Sequence, residues 1–257
     1  MKAVRMAIGL VLTLLVGSAS AQPIKPEAPT GTRITKRPDD FPIDTSREIL
    51  RQFAECSAKK YPQLTHEMLM DISKVRVNDR YLKAADPDCL LKATAYQYGT
   101  VALQMSPERF RYAVADALVK RNLNSFDPAQ IASAPRLPIP TIDPADYVPK
   151  PRARKSGFML KQYEEAKQRD LGAIALSSFG ECVVRANTNG SRDLLKTKIN
   201  SDEELQSLRA MMPSFSACLD RGQQFKTERA TLRGAVALNY YRLAYAPRQH
   251  SNIDKQK

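Results

Sequence analysis

Apolar residues recur along this chain at helical spacing. Ile49, Phe53 and Cys56 fall on one helical face, with Leu50 and Tyr61 beside it. Met68, Leu69, Ile72 and Val75 form a second short period, and a third stretch passes Tyr81 and Leu82. Phe110, Val114, Ala117 and Leu118 stand at i, i+4, i+7 and i+8, which predicts a helix with one buried face. In the second half the spacing resumes at Leu171, Ile174, Ala175, Cys182, Val183 and Ala186. It continues through Leu194, Leu195 and Ile199, then Leu205, Leu208 and Met212, and last Leu232, Val236, Tyr240 and Leu243. Period-two alternation is confined to pieces such as Val75-Arg76-Val77, too short for a strand. The pattern predicts an all-α fold.

Helix boundaries are written in capping residues and prolines. Thr45-Ser46-Arg47-Glu48 fits a capping box, in which hydroxyl and carboxylate satisfy free backbone amides, and Pro62 ends that helix. Thr65 is expected to cap the next one. Asp86-Pro87-Asp88 opens a helix carrying Cys89 that is expected to pass Leu91 and Tyr98 towards Met105. Ser106-Pro107-Glu108 combines a cap, a first-turn proline and an early acid. Asn187-Thr188-Asn189-Gly190 reads as a C-cap and turn, with Ser191 starting the following helix. Ser201-Asp202-Glu203-Glu204 is a second capping box, Pro213 breaks the path before Cys218, and Thr227-Glu228 opens the last helix.

Composition divides the chain further. Residues 1–21 have a basic start at Lys2 and Arg5, an apolar run and Ala19-Ser20-Ala21, the pattern of a secretory signal peptide. That apolar run is too short for a permanent span, so the mature chain is expected to start at Gln22 without an integral membrane segment. Residues 22–44 form a Pro-rich leader, 45–121 a first helical unit, 122–159 a Pro-rich linker, 160–244 a second unit and 245–257 a polar, frayed tail. Leu137, Ile139 and Ile142 are positioned to pin the linker to a groove as an extended strap.

The two units share an order of features. Phe53-Ala54-Glu55-Cys56 returns as Phe179-Gly180-Glu181-Cys182. Thr65 and Ser191 follow at the same distance, then Met68-Leu69 and Leu194-Leu195, then Cys89-Leu90 and Cys218-Leu219. Arg111-Tyr112-Ala113-Val114-Ala115 matches Arg233-Gly234-Ala235-Val236-Ala237. This order predicts an internal duplication. Four cysteines allow three pairings, and the duplication selects Cys56–Cys89 and Cys182–Cys218, separated by 33 and 36 residues. In an exported chain these are expected to be structural disulfides.

The chain carries a formal net charge of +13, which bears on partners rather than on fold. For an exported protein the expected partner is an anionic envelope component or another protein; no nucleic-acid module is recognisable. Arg152, Arg154 and Lys155 make a small basic cluster, read as a solvated hinge before an anion contact. Candidate chemistry is sparse. Glu55 and Glu181 are matched carboxylates, and an acid role for either in an envelope-polymer hydrolase or lyase is the alternative reading. Their flanking position beside core cysteines favours structural or surface roles. Arg111 and Arg233 are expected to form structural ion pairs, each with the glutamate of its own copy. With only His66 and His250, neither a metal cage nor a Ser-His-Asp site is supported, and His66 reads as a bland surface residue. Ten glycines form no phosphate-cradling or dinucleotide motif, so no cofactor is expected. Tyr240-Tyr241 and Tyr96-x-Tyr98 read as core or interface aromatics.

The string Phe179-Gly180-Glu181-Cys182-Val183-Val184-Arg185 and the pair Cys218-Leu219 resemble exported alphaproteobacterial proteins with a duplicated two-cysteine helical unit. The resemblance spans residues 45–121 and 160–244, implies a periplasmic or secreted location, and brings no activity with it. The sequence therefore points to an exported, basic, non-enzymatic binding protein.

Overall fold

The computed structural model describes residues 43–71, 76–95, 105–148, 157–219 and 227–253. The expected signal peptide, most of the leader, the basic cluster at 152–155 and the continuation of the Cys89 helix past residue 95 lie outside these residues. Within them the chain is helical and holds no strand, as the apolar period requires.

Helix α1 (Ile43–Lys60) is followed directly by α2 (Pro62–Met70). A 3-10 turn (Asp79–Ala84) and α3 (Pro87–Ala95) precede α4 (Pro107–Asn122). Then come α5 (Pro128–Ser133), α6 (Gly157–Ala186), α7 (Thr188–Lys196), α8 (Asp202–Ala210), α9 (Met212–Ala217) and α10 (Arg229–Ile253).

Proline starts helices here more often than it stops them, because its missing N–H falls among amides that have no helical partner anyway. Pro62 lies in the first turn of α2, so Thr65 is an interior residue rather than the expected cap, and its hydroxyl donates to the Tyr61 carbonyl at 2.8 Å. Pro128 starts α5 behind the Asp127 cap, and Pro213 starts α9. Ser106 and Ser201 cap α4 and α8 as expected, accepting from the Arg109 and Glu204 amides at 3.2 Å. Two other starts differ. Helix α1 begins at Ile43, and Glu48 turns to Arg51 at 2.6 Å and Gln52 at 3.0 Å instead of closing a capping box. Asn187 is the N-cap of α7, accepting from the Gly190 amide at 2.8 Å, which leaves Ser191 buried inside the helix. At the other end of the chain, α10 runs on to Ile253 where a frayed tail from residue 245 was expected, and Ala246 is buried.

The centre is the pairing of α4 with α10. Helix α1 packs on α4 and α6 packs on α10, while α7 and α5 also rest on α10. One core runs through both halves, from Phe53, Phe110 and Leu118 to Val183, Leu194 and Tyr240. Both disulfides form in the pairing that the matched motifs select: Cys56–Cys89 ties α1 to α3 and Cys182–Cys218 ties α6 to the end of α9, with Cα separations of 5.5 and 5.8 Å.

The Pro-rich stretch contributes to this core. Leu123, Phe126, Ile131, Ala134 and Leu137 are buried, whereas Ile139 is 65% exposed and Ile142 half-buried, so Leu137 is the strap residue that inserts fully. Apolar burial on α6 begins only at Leu176, and Leu171, Ala175, Cys182 and Ala186, which the apolar spacing placed on its inner face, are exposed.

Candidate functional site

Of the four charged residues singled out in the sequence, Glu181 and Arg233 tie separate segments of the chain together. Glu55 pairs with Arg51, one turn earlier on α1, at a partly exposed position. Glu181 pairs with Arg185, one turn later on α6, at 2.8 Å and accepts from the Leu137 backbone N–H at 3.1 Å. Arg185 completes this tie by donating to the carbonyls of Ala134 and Pro135, each at 2.7 Å. The Glu181–Arg185 pair thus fastens the Pro-rich strap to α6. The expected partner arginines are displaced because side chains four residues apart on one helix already lie side by side.

Arg233, buried on α10, meets Asp116 of α4 at 3.0 Å and Glu204 of α8 at 3.4 Å. It also donates to the carbonyls of Leu194, Leu195 and Thr197 at 2.9, 3.2 and 3.2 Å, where α7 ends and its carbonyls lack helical partners. Glu204 is fully buried and takes a forked pair of bonds from Arg47 of α1 at 2.8 and 3.1 Å. Burial alone raises the Glu204 carboxyl, but the Arg47 bonds and the Arg47 and Arg233 charges outweigh it, and the net shift is downward. Asp116, Glu204 and Arg47 were not legible as partners, since four separate helices bring them together.

Arg111 is buried on α4. Beside it Arg242, also buried, donates to the carbonyls of Leu69 at 2.7 Å and Asp71 at 3.4 Å, at the C-terminus of α2. Burial, reinforced by the like charge of Arg111, pulls Arg242 down to about 9.

Several ionisable side chains line an open depression next to this end of α2. This shallow depression of about 520 Å³ is lined by Gln63, His66, Glu67, Met70 and Asp71, and across from them by Arg80 and Tyr81 of the 3-10 turn. The α2 residues stand at helical spacing on one face. Gln63 donates to Glu67 Oε1 at 3.0 Å, and Arg80 Nη2 donates to Glu67 Oε2 at 3.2 Å and to the Tyr81 hydroxyl at 2.7 Å. Tyr81 in turn donates to Asp71 Oδ2 at 3.1 Å. The Arg80 guanidinium lies 4.5 Å from the centre of the Tyr81 ring, a cation–π contact.

His66 forms the wall towards α10. Its Nδ1 shares a 2.8 Å hydrogen bond with the Tyr241 hydroxyl, and its ring meets the Tyr245 ring edge-on at 5.0 Å. Burial holds the imidazole below its ordinary pKa, against the opposing charge of Glu67. Burial likewise raises Tyr241. His66, expected to be a plain surface residue, is therefore a neutral group locked to α10. Arg80 and Asp71 drew no attention in the sequence, and Tyr81 only as an apolar position, because only the return of the 3-10 turn onto α2 assembles them.

Among the described residues no group of three or more His, Cys, Asp or Glu side chains is placed to share a metal ion, and no helix is long and apolar enough to cross a membrane. The chain matches no protein-family model, no curated protein and no solved structure.

Proposed function

We propose that this is an exported binding protein without catalytic activity of its own, working in the periplasm or outside the cell and drawn by charge to an anionic envelope component or protein. Two closed disulfides and no free cysteine fit an oxidising compartment. Glu55 and Glu181, the carboxylates that the alternative hydrolase reading would use, are paired with arginines of their own helices, and Glu181 also holds the Leu137 backbone N–H.

The observation that carries the reading is the charge of the chain, +13 in all and +11 once Lys2 and Arg5 leave with the expected signal peptide. The described residues hold 25 Lys and Arg against 22 Asp and Glu, a net +3. The other residues of the mature chain, from Gln22 on, hold 13 against 5, a net +8. The described helices thus carry little net charge, and most of the excess that attracts an anion belongs to the other residues of the sequence. Such attraction raises encounter rates and weakens as salt shortens its range to about 10 Å at 0.1 M.

Cosedimentation of the mature chain with phosphatidylcholine vesicles, with and without phosphatidylglycerol, tests this. Binding is expected only to the anionic vesicles and should fade as salt rises. Equal binding to both vesicles, or binding indifferent to salt, would overturn the charge-driven reading.

A further inference from the structure

The depression between α2 and the 3-10 turn does not suit the anionic partner. Its lining holds two carboxylates, Glu67 and Asp71, against the one guanidinium of Arg80. What it offers is an arc of planar polar side chains. Gln63, Glu67, Arg80, Tyr81 and Asp71 form an unbroken chain of hydrogen bonds that fixes the direction of each donor and acceptor. Arg80 uses only Nη2 in those side-chain bonds, so Nη1 remains as a single donor next to the Glu67 and Gln63 acceptors. A lone donor beside carboxylate and amide oxygens matches a sugar hydroxyl, which donates and accepts at once. Met70 supplies an apolar patch for the C–H face of a ring. The depression is open at the sides, which admits one unit of a chain and gives no enclosure for a small free ligand.

The geometry points to this depression as a subsite for one residue of a neutral glycan, with Arg80 and Glu67 bonding its hydroxyls. The inference is separate from the charge-driven reading and survives its failure, because a neutral sugar is indifferent to salt.

The test is an amide NMR titration of the full mature chain in about 0.3 M salt, where long-range attraction is screened. The probes are neutral tetrasaccharides (chitotetraose, cellotetraose and maltotetraose), a fully deacetylated cationic chitosan tetramer and a sulfated tetrasaccharide. At least one neutral probe is expected to shift the amides of Gln63, Glu67 and Arg80. Arg80→Ala and Glu67→Ala should each weaken that binding roughly fivefold, the worth of about one net hydrogen bond. Both side chains are substantially exposed, so the melting temperature should stay close to that of the parent. Absence of shifts with all three neutral probes would overturn the proposal. So would stronger shifts at these amides with the cationic or the sulfated probe, or unchanged affinity in both variants.

Discussion

Gly180 of α6 and Asn239 of α10 meet where the two helices approach too closely for a side chain at the first position. A Cβ at residue 180 would lie 2.5 Å from Asn239 Nδ2 and 2.8 Å from the Ala235 carbonyl oxygen. Asn239 is held there by its own bond to that carbonyl at 2.9 Å. The corresponding position of the first motif is Ala54, which is fully buried. Glycine in one motif and alanine in the other therefore reflects the asparagine on the facing helix.

Gly180→Ala should destabilise the protein by about 1–3 kcal/mol, the usual cost of overpacking. Adding Asn239→Ala should restore only part of this, since the Ala235 backbone remains in the way. Urea unfolding of the two variants measures both values. An unchanged midpoint in Gly180→Ala would mean that α6 and α10 do not meet at this distance.

The buried cluster around Glu204 makes a second prediction. Glu204→Gln leaves Arg47 and Arg233 without their shared carboxylate and should cost about 3–5 kcal/mol, as breaking a buried pair does. Stability should also depend on acid through this group. A carboxyl held below its ordinary 4.5 contributes in full above that pH and loses its contribution as pH falls through the lower folded value. Glu48, held at about 2 by its hydrogen bonds to Arg51, adds a smaller term with the same sign, since solvent screens this partly exposed pair. Unfolding free energy should thus fall between pH 4.5 and about 2, and less steeply in Glu204→Gln.

His66 acts at a higher pH. Burial keeps its folded pKa below 6.5, so the unfolded chain takes up the proton first. Its contribution is complete above pH 6.5 and is lost as pH falls through the folded value. Imidazole proton shifts followed by NMR should give a midpoint below 6.5. A midpoint at or above that value would mean that His66 is not packed between α2 and α10.

These particulars mark what a sequence alone can carry. The all-α class followed from apolar spacing, and the cysteine pairing followed from the order of matched motifs. Helix starts were less legible, because a proline signals both an end and a beginning: Pro62, Pro128 and Pro213 all open helices. Ion pairs were legible as residue types and not as partners. Arg233 sits 117 residues from Asp116 and 29 from Glu204, and only tertiary packing chooses them over Glu181. The depression combines both cases, with one helical face written in α2 and its far wall supplied by the 3-10 turn.

The disulfides can be compared directly. Each closes a loop of similar length, so removing either pair, by Cys56→Ser with Cys89→Ser or by Cys182→Ser with Cys218→Ser, should cost about 3–4 kcal/mol in the chain-entropy model. Denaturant midpoints of the two double variants should fall by comparable amounts. Loss of one with no measurable effect would contradict the chain-entropy account for that loop.

The most direct test of the functional account is crosslinking capture with the full mature chain from the envelope fraction of its own cells, at low and at high salt. The account predicts anionic components that are captured at low salt and released at high salt. A single partner retained equally at both salts would contradict it, by showing that the contact does not depend on the basic charge of the chain.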